Sequence, residues 1–179
     1  MTTTIDQLKD RVPDHARDLR INLGVIAAAA ALTPHEAWGV ALAVAHTTRH
    51  PELIAAVEGS AAAHLPPAAQ DAARGAAAIM GMNNVYYRFL HFMGEGPYQA
   101  MPARLRMQLL GKPGVDHRSF ELWCLAASAI TGCESCVRAH EKAVRDKGGT
   151  PESIQDAIRI AAVLHGVAIA LPHPHLVAA

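Results

Sequence analysis

The sequence predicts an all-α protein, on three observations. Alanine is abundant across the 179 residues while aromatic residues make up only 4%. No stretch alternates β-branched and polar residues with the period of a strand. Helix starts are marked by a capping residue followed by proline at the first helical position, as at Thr33-Pro34 and Thr150-Pro151.

The elements follow in order from these signals. An alanine-rich run predicts a first helix near 14–30. Thr33-Pro34, with Glu36 completing a capping box, opens a helix over 34–49, and Pro51 opens another over 51–62. A long helix is expected over 67–92, closed by the Gly/Pro segment from Gly94 to Pro97, and a short one over 103–110, closed by Gly111-Lys112-Pro113-Gly114. Helices over 118–131 and 134–147, split by Gly132, precede a last helix over 151–170, after which PHPHLVAA is expected to fray.

One constant offset carries Pro66-x3-Gln70-Asp71-Ala72-x-Arg74 onto Pro151-x3-Gln155-Asp156-Ala157-x-Arg159, and Glu36-x-Trp38 onto Glu121-x-Trp123, without a gap. Alanine matches are cheap in this composition, but Pro, Gln, Asp, Arg, Glu and Trp matches are not. The chain therefore reads as a single domain, 1–179, built from two pseudo-repeated helical units at about 34–92 and 118–170. The same offset sets Cys133, Cys136 and His140 opposite Thr48, Pro51 and Ala55. The frame repeats without the thiols and the imidazole, so packing alone does not require them.

Sixteen basic residues balance sixteen acidic ones, which leaves no field to hold a nucleic acid or an anionic membrane surface. The N-terminus has no basic patch followed by an apolar stretch, and charge, His or Pro interrupts the later apolar runs. A cytoplasmic protein is expected, with neither nucleic acid nor membrane as a partner. Three cysteines are too few and too oddly numbered for a disulfide scaffold, and in a reducing compartment a close pair points to catalysis.

That pair is Cys133-x-x-Cys136, with His140 four residues on. With Gly132 ending one helix, the next begins at about Cys133, which puts both sulfurs at a positive helix end and all three side chains on one face. An unperturbed thiol has a pKa of about 8.5, and a helix end worth roughly 0.3–1 kcal/mol shifts it by less than about one unit. A second group must assist, and His140 is placed to take the thiol proton or to stand as a cation beside the thiolate. Glu121, in an apolar segment of the preceding helix, is the carboxylate chosen to orient that imidazole. The plainer alternative is that Glu121 sits in a first helical turn only because acids are favoured there, as at Glu36. Spacing does not say which cysteine attacks first.

GAAAIMGMNNVYYR (75–88) and FELWCLAASAITGCESCVRAH (120–140) resemble the alkyl hydroperoxidase D family, within the wider carboxymuconolactone-decarboxylase-like superfamily, over nearly the whole chain. The resemblance implies an all-helical homotrimer that reduces organic hydroperoxides and regenerates a partner peroxiredoxin of the AhpC type. It implies that Cys136 passes through a sulfenic acid and forms the mixed disulfide with the peroxiredoxin. Cys133 would then be the proton donor and resolving thiol, with Glu121 and His140 relaying protons. It also implies that no cofactor is bound, electrons arriving from an external dithiol on a lipoyl-carrying or thioredoxin-like protein. Some members carry a histidine between the cysteines where this chain has Ser135, which can replace only that group's hydrogen bond.

Three other readings compete. A zinc site would take Cys133, Cys136 and His140 but lacks a fourth ligand, since His173 and His175 fall in the tail. A decarboxylase-like acid–base enzyme would use His140 and Glu121 and leave the thiols incidental. A purely structural helical module would need neither. Cys124 reads as a small buried hydrophobe, and Met80, Met82, Met93, Met101 and Met107 as core or interface filler. Asn83, Asn84, Tyr86 and Tyr87 form a polar cluster suited either to a subunit contact or to a pocket wall.

Overall fold

The computed structural model describes residues 3–172, so His173 and His175 lie outside the described residues. These contain ten α-helices and two short 3-10 segments, with no strand. The helices are α1 (Ile5–Lys9), α2 (Asp18–Asn22), α3 (Val25–Ala28), α4 (Pro34–Thr48), α5 (Pro51–Ala61), α6 (Pro67–Met93), α7 (Gln108–Gly111), α8 (His117–Thr131), α9 (Glu134–Asp146) and α10 (Pro151–Ala170).

The expected single helix over 14–30 is a 3-10 turn followed by α2 and α3. Alanine propensity alone gives this run no continuous apolar face, and tertiary contacts override it. Arg20 turns back to the Val12 carbonyl and to Asp14, while the amide of Ala31 donates to Asp156 Oδ2 at 3.1 Å, so both ends are pulled onto other parts of the molecule. Helix α1 was not expected, although Thr4 and Gln7 form a reciprocal capping box around its first turn. The helix expected over 103–110 shrinks to α7, because Arg104 takes a left-handed backbone conformation at φ 51° that a helix cannot contain.

Helices α4 and α8 form the centre. Residues 39–45 of α4 and 122–128 of α8 are continuously buried, so these helices are covered on several sides and need no polar face. They cross where Gly39 meets the indole of Trp123, whose Nε1–H donates to the Glu36 carbonyl at 3.2 Å. Helices α6 and α10 each pack across both central helices, while α5 packs on α4 and α9 on α8. In both halves one arginine reaches the same two neighbours: Arg74 binds Asp71 at 2.9 Å and Gln70 at 3.5 Å, and Arg159 binds Asp156 at 2.8 Å and Gln155 at 3.1 Å.

By length and composition α10, with 20 residues, is apolar enough to cross a membrane. Its Ala157, Ile160, Ala161, Leu164 and Val167 are instead buried in the core against α4 and α8. That is the one-sided burial of a helix packed against a core.

Candidate active site

Gly132 ends α8 in the left-handed conformation, at φ 69°, and its amide closes the last turn. The chain then enters α9 with Cys133 as the N-cap residue and Cys136 in the first turn. The two sulfurs are joined in a disulfide, with Cα atoms 5.3 Å apart. Helix α6 fixes this junction from the side. Asn84 donates through Nδ2 to Thr131 Oγ1 at 2.6 Å, and Arg88 donates to the Thr131 carbonyl at 2.5 Å.

The cysteines differ in their surroundings. Cys133 is 0% exposed and Cys136 6%. Only Cys136 lines a cavity of about 230 Å³, shared with Asn83, Tyr87, Met107, Leu110, Ser135, Ala139 and His140. Ser135 Oγ lies 3.5 Å from Cys133 Sγ, so the hydroxyl stands beside the buried sulfur and also faces the cavity.

His140 is held from two sides. Its Nδ1 lies 2.6 Å from Glu121 Oε2 on α8, and its Nε2 lies 3.1 Å from Met80 Sδ on α6. A carboxylate and a thioether are both acceptors, so whichever ring nitrogen carries the hydrogen has a group to receive it. The side chains of His140 and Glu121 are only 13% and 15% exposed, where a charge-assisted hydrogen bond is stronger than at the surface. The imidazole is thus placed at the cavity wall with a carboxylate behind it, an arrangement able to take and return a proton.

Glu36 and Glu121 use their carboxylates differently. In α4, Thr33 is the N-cap and Glu36 completes the capping box, with Arg118 as its ion-pair partner at 2.7 Å. Helix α8 starts further upstream, with Asp116 as its N-cap accepting from the Ser119 amide at 2.9 Å. Burial raises the Asp116 pKa, but the Ser119 hydrogen bonds and the His35 and Arg118 charges outweigh it and hold the carboxyl below its usual range. With capping done by Asp116, Glu121 lies past the first turn and is free to reach α9.

Cys124 is fully buried and unpaired. Burial, and secondarily the Glu121 charge, pushes its thiol pKa well above the ordinary value, which leaves it chemically quiet. Sequence reasoning missed Met80 as the second contact of His140, while Asn83, suited on sequence either to a subunit contact or to a pocket wall, lines the cavity. Both come from α6, far away in the chain, and only the Met-Gly-Met-Asn-Asn cluster itself hinted at them. Among the described residues no group of three or more His, Cys, Asp or Glu side chains is arranged to hold a metal ion.

Residues 96–173 match the model of the carboxymuconolactone decarboxylase family, a span that includes the cysteine pair, Glu121 and His140. Over 168 residues the chain is 51% identical to a protein of Rhodospirillum centenum named alkyl hydroperoxide reductase AhpD, covering 94% of this chain and 90% of the relative. Proteins of the same name from Methylocella silvestris and a Bradyrhizobium species are 53% and 49% identical, each over 94% of this chain and over 94% and 93% of their own lengths. With relatives this similar over almost the full length, the chain belongs to the alkyl hydroperoxidase D family of the carboxymuconolactone decarboxylase group.

Proposed function

We propose that this protein is an antioxidant alkyl hydroperoxide reductase working through reversible oxidation of Cys133 and Cys136. The observation that carries the reading is the Cys133–Cys136 disulfide at the wall of a cavity that also contains His140, itself backed by Glu121.

In the reduced protein the Cys136 thiolate attacks the terminal peroxide oxygen. The O–O bond breaks, the sulfur is oxidised to a sulfenic acid, and the alkoxide leaves as an alcohol after taking a proton. Cys133 then attacks the sulfenic sulfur, water leaves, and the disulfide seen here forms. His140 accepts the thiol proton and delivers it to the leaving oxygen, with Glu121 holding the ring. The exposure difference supports these roles, since the sulfur facing the cavity meets substrate first and the buried one resolves.

The same thiols serve in a second direction. Cys136 attacks the disulfide of a partner peroxiredoxin, giving a mixed disulfide, and Cys133 displaces the partner as a dithiol. An external dithiol, carried on a lipoyl or thioredoxin-like protein, reduces Cys133–Cys136 again, and the cycle calls for no bound cofactor. The working form is a homotrimer in the cytoplasm. Val85, Phe89, Phe92 and Met93, exposed on α6, offer an apolar surface for such association.

The test is a free-thiol count on the reduced protein before and after one equivalent of an alkyl hydroperoxide. Loss of two thiols, restored by a dithiol, is expected. Retention of all thiols while the hydroperoxide persists would overturn the proposal.

A further inference from the structure

Asn83 and Asn84 are adjacent on α6 and almost fully buried, at 4% and 1% exposure, yet their carboxamides are used differently. Asn84 is engaged at both ends, donating to Thr131 Oγ1 at 2.6 Å and accepting from Ser128 Oγ at 3.1 Å. Asn83 Oδ1 is buried with no hydrogen-bond partner in the protein, and the residue lines the cavity with Cys136 and His140. A buried acceptor left unsatisfied is costly and calls for a partner. The sequence offset sets Asn83, in the half that lacks the cysteines, opposite Ala168 in the half that carries them, so the frame does not demand an amide here.

We infer that Asn83 is the substrate-orienting residue, its Oδ1 accepting the hydrogen bond of the terminal O–H of an alkyl hydroperoxide whose alkyl group rests on Tyr87, Met107, Leu110 and Ala139. This rests on the peroxidase reading above and names how that site takes its substrate. An alkyl hydroperoxide has a single hydrogen-bond donor, the hydrogen on its terminal oxygen, and that oxygen is the one a thiolate attacks. An acceptor without a protein donor, belonging to a residue of the wall shared with Cys136, therefore selects the reactive end of the molecule. The Tyr87 hydroxyl on the same wall is directed at Met107 Sδ, 3.7 Å away, and unlike Asn83 Oδ1 it is not a buried acceptor left without a partner. The wall of Tyr87, Met107, Leu110 and Ala139 is largely apolar, as an alkyl group requires. Its volume of about 230 Å³ has room for roughly seven water-sized groups at ~30 Å³ each, the scale of a compact branched hydroperoxide.

The experiment compares wild type, Asn83→Leu and Asn83→Ala in two reactions of the full chain. One is thiol oxidation of the reduced protein by tert-butyl hydroperoxide, followed as a function of peroxide concentration. The other is reduction of the Cys133–Cys136 disulfide by dithiothreitol, which involves no peroxide. Loss of one oriented hydrogen bond is expected to lower the second-order rate with tert-butyl hydroperoxide by about tenfold, with disulfide reduction unchanged. Equal peroxide rates in wild type and both variants, or a parallel loss in both reactions, would overturn the assignment by showing Asn83 to be idle or merely structural. Two folded variants are not required, because either one reports the split between the reactions. A wild-type protein that does not lose thiols to tert-butyl hydroperoxide fails at the peroxidase reading instead, so the two failures are told apart.

Discussion

Glu121 on α8 and His140 on α9 are joined side chain to side chain at 2.6 Å, the shortest link between the helix that precedes the cysteine pair and the helix that carries it. Both are largely buried, so replacing the carboxylate by an amide removes the charge behind the imidazole without removing its support. Glu121→Gln is expected to reduce peroxide turnover on the order of 10²-fold, while far-UV circular dichroism remains that of the wild type. An unchanged rate at every pH would take Glu121 out of the relay.

The two cysteines should fail differently. Cys136→Ser removes the thiol at the cavity wall and should abolish peroxide consumption. Cys133→Ser removes the resolving thiol, so the reaction should stop after one turnover with a sulfenic acid that a cyclic 1,3-diketone traps at Cys136. Mass spectrometry of the trapped peptide checks this. Trapping at Cys133 in the Cys136→Ser protein, with none at Cys136 in the other variant, would exchange the two roles.

Cys124 gives a prediction about pH. Its thiol pKa is raised by burial and by the Glu121 charge, so it stays protonated across the range in which an ordinary thiol of pKa about 8.5 ionises. Native oxidised protein should therefore show no rapid alkylation, and no acceleration as pH rises from about 7 to 9. Denatured oxidised protein should expose one reactive thiol. Cys124→Ala should retain peroxide turnover and cost roughly 1–2 kcal/mol of stability in a denaturant titration, the small cavity being the cause.

The legible parts of the chain were those whose signals are local. Capping residues and first-turn prolines located α4, α5, α6 and α10 to within a residue or two, because a cap accepts from amides of its own helix and a first-turn proline removes an amide that would otherwise need a partner. Gly132, a local stop signal, put Cys133 and Cys136 at the start of α9, and the spacing put His140 on their face of the helix. The break-up of residues 14–30 was not legible, because it depends on Arg20 and Ala31 bonding to other segments. Nor was the contact of Met80 with His140, which arises only when α6 is laid against α9; for Asn83 the sequence left a subunit contact and a pocket wall both open. That Glu121 serves His140 rather than its own helix end depends on where α8 starts, and Asp116 decides that.

Asp116 itself makes the stability of α8 sensitive to acid. Its folded pKa is depressed, so its contribution is fully present above the unfolded value of about 3.9 and is lost as pH falls through the lower folded value. Asp116→Ala should cost about 0.5–2 kcal/mol at neutral pH. Asp116→Asn keeps a capping oxygen but does not titrate. The difference in urea midpoint between wild type and Asp116→Asn should be constant above about pH 5 and should shrink as pH falls below about 4.

Gly39 and Gly81 form a matched pair that separates close helix contact from helix propensity. Both lie inside long helices, where replacing glycine by alanine ordinarily gains up to about 1 kcal/mol. A Cβ at Gly81 would meet nothing within 4 Å, so Gly81→Ala should raise the denaturation midpoint by about that gain. A Cβ at Gly39 would overlap the ring of Trp123, which is fully buried and has no room to retreat. The overpacking cost of about 1–3 kcal/mol or more exceeds the propensity gain, and a displaced Trp123 ring would also lose its hydrogen bond to the Glu36 carbonyl. Gly39→Ala should therefore lower the midpoint, and because Trp123 is two residues from Glu121, peroxide turnover should fall with it. A stabilised Gly39→Ala protein would mean that α4 and α8 cross less closely than this packing requires.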